Sequence, residues 1–345
     1  MCVLFEVPSH WAKGAAKALA CIMALSINAS AFAAPMQQGG WQTPGPPPCT
    51  NSHALGTSRI ASVGTQGGLA VGLKTYPRTL RLTDHEIVLT FDDGPLPRTT
   101  AAILDALARE CVLATFFVIG RNAEAHPELV RREIAAGHTV GHHSFSHPAG
   151  TLRGLSEAAA RLEIARGIEA DEKAAGLWQS SDVAPRVPFF RFPGLADTRP
   201  LLEWLNAQSI AVFSADIWAS DWNAMTPDAE LDLLLARIER AKRGIVLLHD
   251  IKAQTAVMLP RLLEELKRRN YRIVHLVPGV GRAETIEAPG NWTSATEAFV
   301  TRVTPHAGRV LNRRPPSPPI GPGSAETAAR IGSDNPPDRS WYYSR

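Results

Sequence analysis

The chain of 345 residues has little cysteine, four residues in all, and no two of them show zinc-ribbon spacing, which excludes a structural zinc module of that kind. It also lacks a concentrated block of lysine and arginine. The formal net charge of +3 therefore gives no case for a nucleic-acid partner, although a mild basic excess suits an anionic envelope surface. Past the N-terminal segment no apolar run is long enough to span a bilayer, and no internal repeat is visible. What is present is ordinary globular composition. With 45% hydrophobic and 20% charged residues there is material for a sizeable core in one or two domains.

The N-terminus reads as an export signal over residues 1–33. Lys13 and Lys17 precede an apolar run from Ala18 to Ile27, and Ala31-Phe32-Ala33 suits cleavage before Ala34. That places the chain in the periplasm or outside the cell, with no transmembrane span after processing; a retained amphipathic anchor is the alternative. Cys2 and Cys21 leave with the signal. Cys49 and Cys111 stay, either paired in an oxidising compartment or as two free thiols. Residues 34–80, rich in Gly, Pro, Ser, Thr and Gln, read as a linker or lead-in. Residues 81–280 read as the folded domain. Residues 281–345 read as a Pro-rich, largely disordered tail, with one short helix over 286–304.

Within the domain, short apolar runs alternate with segments of helical period. The runs are 87–90, 115–120, 187–192, 210–215, 244–249 and 271–276. The helical segments are 98–111, 126–136, 155–175, 198–207, 226–242 and 254–269. Pro127 and Pro227 fall where helices start, and Gly137 where one ends. Buried strands alternating with helices imply parallel pairing, in an α/β barrel or a doubly wound sheet. In α/β barrels, sites are built at the C-terminal ends of the strands, and five polar clusters fall there.

The first cluster is Phe91-Asp92-Asp93-Gly94-Pro95. Two adjacent carboxylates ending a buried strand are costly without a cation, although Asp-Gly-Pro is also common turn chemistry. In the second, Gly141 to Pro148, His143 and His147 stand four apart. One helical turn would put both on one face, and two His with one carboxylate make a facial metal site with open positions. The third places Arg191 among Phe189, Phe190 and Phe192, where a guanidinium needs an acidic partner. The fourth interleaves Asp216 and Asp221 with Trp218 and Trp222. The fifth is Leu247-Leu248-His249-Asp250, and a lone histidine there is as readily a satisfied core residue as a catalyst.

Taken in order and in strand context, these clusters resemble the polysaccharide deacetylases of the NodB-homology type, carbohydrate esterase family four. The resemblance runs from about Glu86 to Pro278 and is carried above all by TFDDGP and HSFSHP. It implies a distorted (β/α) barrel of about seven parallel strands. It also implies hydrolysis of N-acetyl or O-acetyl groups on a polysaccharide or oligosaccharide. One divalent metal ion is implied, zinc first, with cobalt, nickel, manganese or iron also fitting the ligand set. Asp93, His143 and His147 would hold the metal. Asp92 would be the general base, oriented by Arg191, and His249 the general acid, oriented by Asp221. Trp222 and Leu247 would line the acetyl pocket, and the Gly194 N–H would help hold the oxyanion. Two departures stand out. Gly194 occupies a position where the family often has Tyr. Asp216 and Asp221 are five apart rather than three, so either could serve His249, with Asp216 then pairing Arg191. His142, where Asn is common, is expected either to support the site residues from behind or to be structural. The rival readings are a metal-free carbohydrate-binding protein, an iron oxygenase, and a hydrolase of non-sugar C–N bonds on the same fold.

Overall fold

The computed structural model of the protein describes residues 49–298. The expected signal segment (residues 1–33), residues 34–48 of the expected lead-in and residues 299–345 of the expected tail lie outside the described residues. Strands β1 (Thr57–Gly64), β2 (Leu69–Val71) and β3 (Arg78–Leu80) precede β4 (Glu86–Asp92) and helix α1 (Pro97–Arg109). Next come β5 (Thr115–Val118), α2 (Gly120–Ala125), α3 (Pro127–Ala135), β6 (Thr139–His142) and α4 (Glu157–Ala175). They are followed by β7 (Phe189–Phe190), α5 (Arg199–Ala207), β8 (Ala211–Phe213), β9 (Ile217–Trp218), α6 (Pro227–Ala241), β10 (Gly244–His249), α7 (Ala253–Arg268), β11 (Arg272–Gly279) and β12 (Thr285–Glu287).

Ten strands form one sheet in the order β1-β11-β4-β5-β6-β7-β8-β2, with β10 beside β4 and β9 beside β10. Every pairing in it is parallel. Strands β4 to β8, β10 and β11 account for the expected seven; β1, β2 and β9 are additions.

Alternation along the strands sorts side chains into two cores. On β4, Ile87, Leu89 and Phe91 pack outward with Ile103 and Leu107 of α1 and Leu262 and Leu266 of α7. Val88 points inward and packs with Phe117, Phe189, Phe213, Ile245 and Val274 from five other strands. A sheet whose inner faces meet in this way has curled into a barrel. Each of these fully buried side chains contributes roughly 1.5–3 kcal/mol against leaving it exposed. Because both faces are buried, the strands read as unbroken apolar runs. The inward register also carries Thr90 and Asp92 of β4 to the C-terminal mouth.

Two stretches differ from the composition-based expectation. Residues 57–80 are not linker: β1 pairs with β11 over Thr57 to Gly64, and β2 extends the sheet beside β8. Their polar residues face solvent along an edge strand, so the composition resembles that of a loop. From 281 to 298 the chain stays packed. β12 pairs antiparallel with β3, the Trp292 indole donates to the Leu73 carbonyl at 2.7 Å, and Thr296 N–H donates to Lys74. Over 286–304, only 295–298 are helical among the described residues. Cys49 and Cys111 are joined in a disulfide, with Cα atoms 5.7 Å apart, tying the start of the described chain to the end of α1. No helix among the described residues is long and apolar enough to cross a membrane.

Candidate active site

The mouth of the barrel is assembled from strand ends. Asp92 is the last residue of β4 and points inward. Asp93 leaves the strand with φ 77°, a left-handed conformation that lets the second carboxylate also reach the mouth instead of turning outward. Its N–H donates to the Phe117 carbonyl, and its own carbonyl accepts from Asn122 Nδ2 at 2.7 Å. The chain then passes so close to Asp250 that a Cβ on Gly94 would fall 1.9 Å from that carboxylate, so only glycine fits.

The expected helical turn at the histidines is absent. His143 follows the end of β6, and the chain to His147 is a loop with Ser144 and His147 at φ 64° and 49°. The loop is clamped on both sides. Ser144 and Phe145 carbonyls accept from Gly120 and Arg121 at the start of α2. Glu163 of α4 accepts from Ser146 N and Oγ, both at 3.0 Å. Gly167 permits this approach, since a Cβ there would meet the Ser144 carbonyl carbon at 2.5 Å. The two imidazoles still converge, with ring centroids 5.2 Å apart.

Asp93, His143 and His147 each offer a ligand atom, and these atoms lie within 4.8 Å of one another. His143 Nδ1 lies 2.7 Å from the Arg191 carbonyl, which can only accept, so Nδ1 carries the proton and Nε2 turns a lone pair to the mouth. Nε2 stands 3.4 Å from Asp93 Oδ1, and His147 Nε2 stands 3.6 Å from the same oxygen. That oxygen is buried with no hydrogen-bond partner. Lone pairs gathered on an unpartnered carboxylate oxygen fit a divalent cation, and the N/O donor set suits zinc and its neighbours. Burial opposes the Asp93 charge, yet the surrounding imidazoles, His147 and His249 foremost, hold its carboxyl down at about 2. Burial lowers His143 to about 4, keeping it neutral as a ligand must be.

Arg191 is wholly buried inside the barrel. Its Nη1 donates to Asp92 Oδ1 at 2.6 Å and to Thr90 Oγ1 at 2.8 Å. Nη2 donates to Ser214 O and Nε to Phe213 O, and the guanidinium lies 4.2 Å over the Phe117 ring. Asp92 Oδ2 is left toward the mouth, 3.8 Å from His143 Nε2. On the opposite wall, His249 ends β10. Its Nδ1 is 2.8 Å from Asp221 Oδ1, and its backbone N–H donates to Asp221 Oδ2 at 2.7 Å. Burial pulls the imidazole pKa down, but the Asp221 charge and hydrogen bond, with Asp93 and Asp92 behind them, outweigh that and raise it to about 9. His249 Nε2 faces Asp93 Oδ2 at 3.9 Å.

The open question over the two later carboxylates is answered by contacts. Asp221 serves His249. Asp216 does not pair with Arg191; it accepts from Leu73 N, Thr79 Oγ1 and Ile245 N, pinning the turn after β2 to β3 and β10. His142 points outward from β6 to Asp171 of α4 at 2.9 Å, fully buried. Leu247 clusters with Leu195 and Ala215, with Trp218 and Trp222 packed against them. The Trp222 ring stands edge-on to His249 at 6.1 Å. Gly194 is exposed in the turn after Arg191 with φ 61°. Sequence reasoning missed Thr90, Asn122 and Glu163. Only Thr90 had a signal, its inward register two residues before Asp92.

A family model for polysaccharide deacetylases matches residues 80–210. A chitooligosaccharide deacetylase of Sinorhizobium fredii is 34% identical over 217 residues, 58% of this chain and 94% of that protein. The peptidoglycan-N-acetylglucosamine deacetylase PgdA of Listeria monocytogenes is 32% identical over 192 residues, 56% of this chain; the match spans only 38% of that protein's length. A peptidoglycan deacetylase structure from Bdellovibrio bacteriovorus superposes with a TM-score of 0.57 at 31% identity, covering 66% of this chain and 61% of that one. The chain belongs to the polysaccharide deacetylase family, hydrolases of carbohydrate esterase family four.

Proposed function

We propose that the protein is an exported, metal-dependent hydrolase that removes N-acetyl (or O-acetyl) groups from an acetylated glycan. The observation that carries this reading is the convergence of Asp93, His143 and His147 beside Asp92 on one wall of the mouth and His249 on the other. The relatives named as peptidoglycan and chitooligosaccharide deacetylases support a glycan substrate. The Cys49–Cys111 disulfide supports an oxidising compartment outside the cytoplasm.

Asp93, His143 and His147 hold the metal. When bound, a divalent ion supplies Lewis acidity to the scissile carbonyl and to an attacking water. Asp92 takes the water's proton on Oδ2, while Arg191 holds Oδ1. The Gly194 N–H helps hold the developing oxyanion. The acetyl methyl occupies the apolar recess of Leu247 and Trp222. His249, charged and steadied by Asp221, gives its Nε2 proton to the departing amine or alcohol.

The test is acetate release from N-acetylated chito-oligosaccharides and peptidoglycan fragments, before chelation, after chelation, and with zinc, cobalt, nickel, manganese or iron restored. Activity should vanish with chelator and return with metal, and His147→Ala should lose bound metal and turnover together. Acetate release indifferent to both treatments would sink the proposal.

A further inference from the structure

Behind His249 lies a second set of polar contacts that the proposed reaction leaves unused. Asp221 is fully buried, and its Oδ2 accepts from the His249 N–H at 2.7 Å and from the Thr255 hydroxyl at 2.9 Å. The same Thr255 oxygen lies 2.8 Å from Glu230 Oε1. Thr255 is in the first turn of α7 and Glu230 in the first turn of α6. Both residues are fully buried where the two helices pack together.

A hydroxyl has one hydrogen to give. Thr255 can donate it to Asp221 or to Glu230, and whichever carboxylate is left out faces the hydroxyl oxygen with no proton between them. That contact becomes a hydrogen bond only if one of the two carboxyls is itself protonated. Asp221 is the charged member, because it gathers donors from His249 Nδ1, His249 N and Thr255. Glu230 has no lysine or arginine within ion-pair distance among the described residues. Its second oxygen, Oε2, is buried without a partner, which is tolerable for a neutral acid and costly for an anion. Burial and the neighbouring Asp221 charge also push its carboxyl up to about 7.

We infer that Glu230 acts as a neutral carboxylic acid that donates to Thr255, so that Thr255 donates to Asp221, and that this chain positions His249 as the proton donor. A third donor on Asp221 fixes its orientation. With Asp221 held, its Oδ1 stays aimed at His249 Nδ1 and keeps the ring turned to the mouth. The inference rests on the reading of His249 as the group that protonates the leaving amine.

The experiment compares two substrates. An amine leaving from an N-acetylated chito-oligosaccharide needs that proton, whereas the phenolate of an aryl acetate does not. Glu230→Leu and Thr255→Val should lower kcat on the glycan roughly ten- to a hundredfold, the value of one hydrogen bond to a charged group, with KM unchanged and aryl acetate turnover little affected. Glu230→Gln, whose amide N–H replaces the acid's donor, and Thr255→Ser should recover most of the loss. Should Glu230→Leu fail to fold, the isosteric Thr255→Val carries the comparison. Independently of turnover, the infrared difference between wild type and Glu230→Gln should show a protonated-carboxyl band at neutral pH. Glu230→Gln falling as low as Glu230→Leu, equal losses on both substrates, or no such band would overturn the inference. A wild-type chain that releases no acetate from any glycan while the band is present would instead overturn the reading it rests on, and the positioning role with it.

Discussion

The two ends of β4 each pair an acid with an arginine, and the pairs are built for different tasks. At the N-terminal end, Glu86 meets Arg59 of β1 through two parallel bonds of 2.8 Å, and its Oε2 also accepts from Thr83 N at 2.8 Å. Both oxygens are occupied, and Arg59 is partly exposed. At the C-terminal end, Asp92 meets the wholly buried Arg191 through one oxygen only, and the other is turned to the mouth. The same charge pair is closed at one end and half open at the other. A carboxylate with both oxygens satisfied holds strands together; one with a single oxygen committed is available for chemistry. This division matches the general habit of α/β barrels, with chemistry at the C-terminal face and stability at the other.

The largest effect is expected at the open end. Asp92→Asn keeps an acceptor for Arg191 but removes the basic oxygen. Turnover should fall by about 10²–10⁴-fold, while elemental analysis should find bound metal at wild-type stoichiometry, because Asp92 is not one of the three converging ligands. If acetate release stayed near normal, the uncommitted oxygen would have no role in the reaction and the contrast between the two pairs would be empty.

A smaller effect is expected at the closed end from the disulfide. Cys49 and Cys111 are 62 residues apart and lie on the N-terminal side of β5. Losing a closed loop of that length should cost about 4 kcal/mol through the entropy of the unfolded chain. The Cys49→Ser, Cys111→Ser double variant should unfold earlier in denaturant yet retain acetate release per folded molecule at 25 °C. A loss of turnover comparable to Asp92→Asn would mean that the two ends of the barrel cannot be varied separately.

How much of this is legible in sequence follows from what each residue does. β4, β5, β8, β10 and β11 announce themselves because strands buried on both faces must be apolar throughout. β1 does not, since its first residues are mostly exposed along an edge. β6 was hidden because its four residues, Thr139 to His142, run into the histidine motif and carry little apolar signal. The spacing of His143 and His147 pointed to a shared face, correctly, and to a helical turn, wrongly. Two left-handed residues and the Glu163 clamp achieve the same convergence, and nothing local to the motif encodes a clamp sixteen residues further on α4. The Asp221 partner of His249 was one of two candidates in the sequence and needed the three donors to Asp216 to be settled. Thr255 and Glu230 were out of reach, since ordinary helix positions become partners only once α6 and α7 pack together.

The smallest effect is expected at the closed pair and depends on pH. The Arg59 hydrogen bonds, against a modest opposing cost of burial, hold the Glu86 carboxyl at about 2 in place of its ordinary 4.5. Because the folded value is the lower one, the folded state favours the ionised form. The stabilisation is then fully present above about pH 4.5 and is lost as pH falls toward 2. Solvent screening around the partly exposed Arg59 keeps the worth of the pair to about 1 kcal/mol. Glu86→Gln should therefore lower the melting temperature at pH 7 by about 2 °C. The gap between variant and wild type should close as the pH is taken from 4.5 toward 2, with acetate release at pH 7 unchanged. A gap of constant size across that range would show that Glu86 contributes shape and not charge. The two ends of β4 would then differ in more than the number of oxygens they leave free.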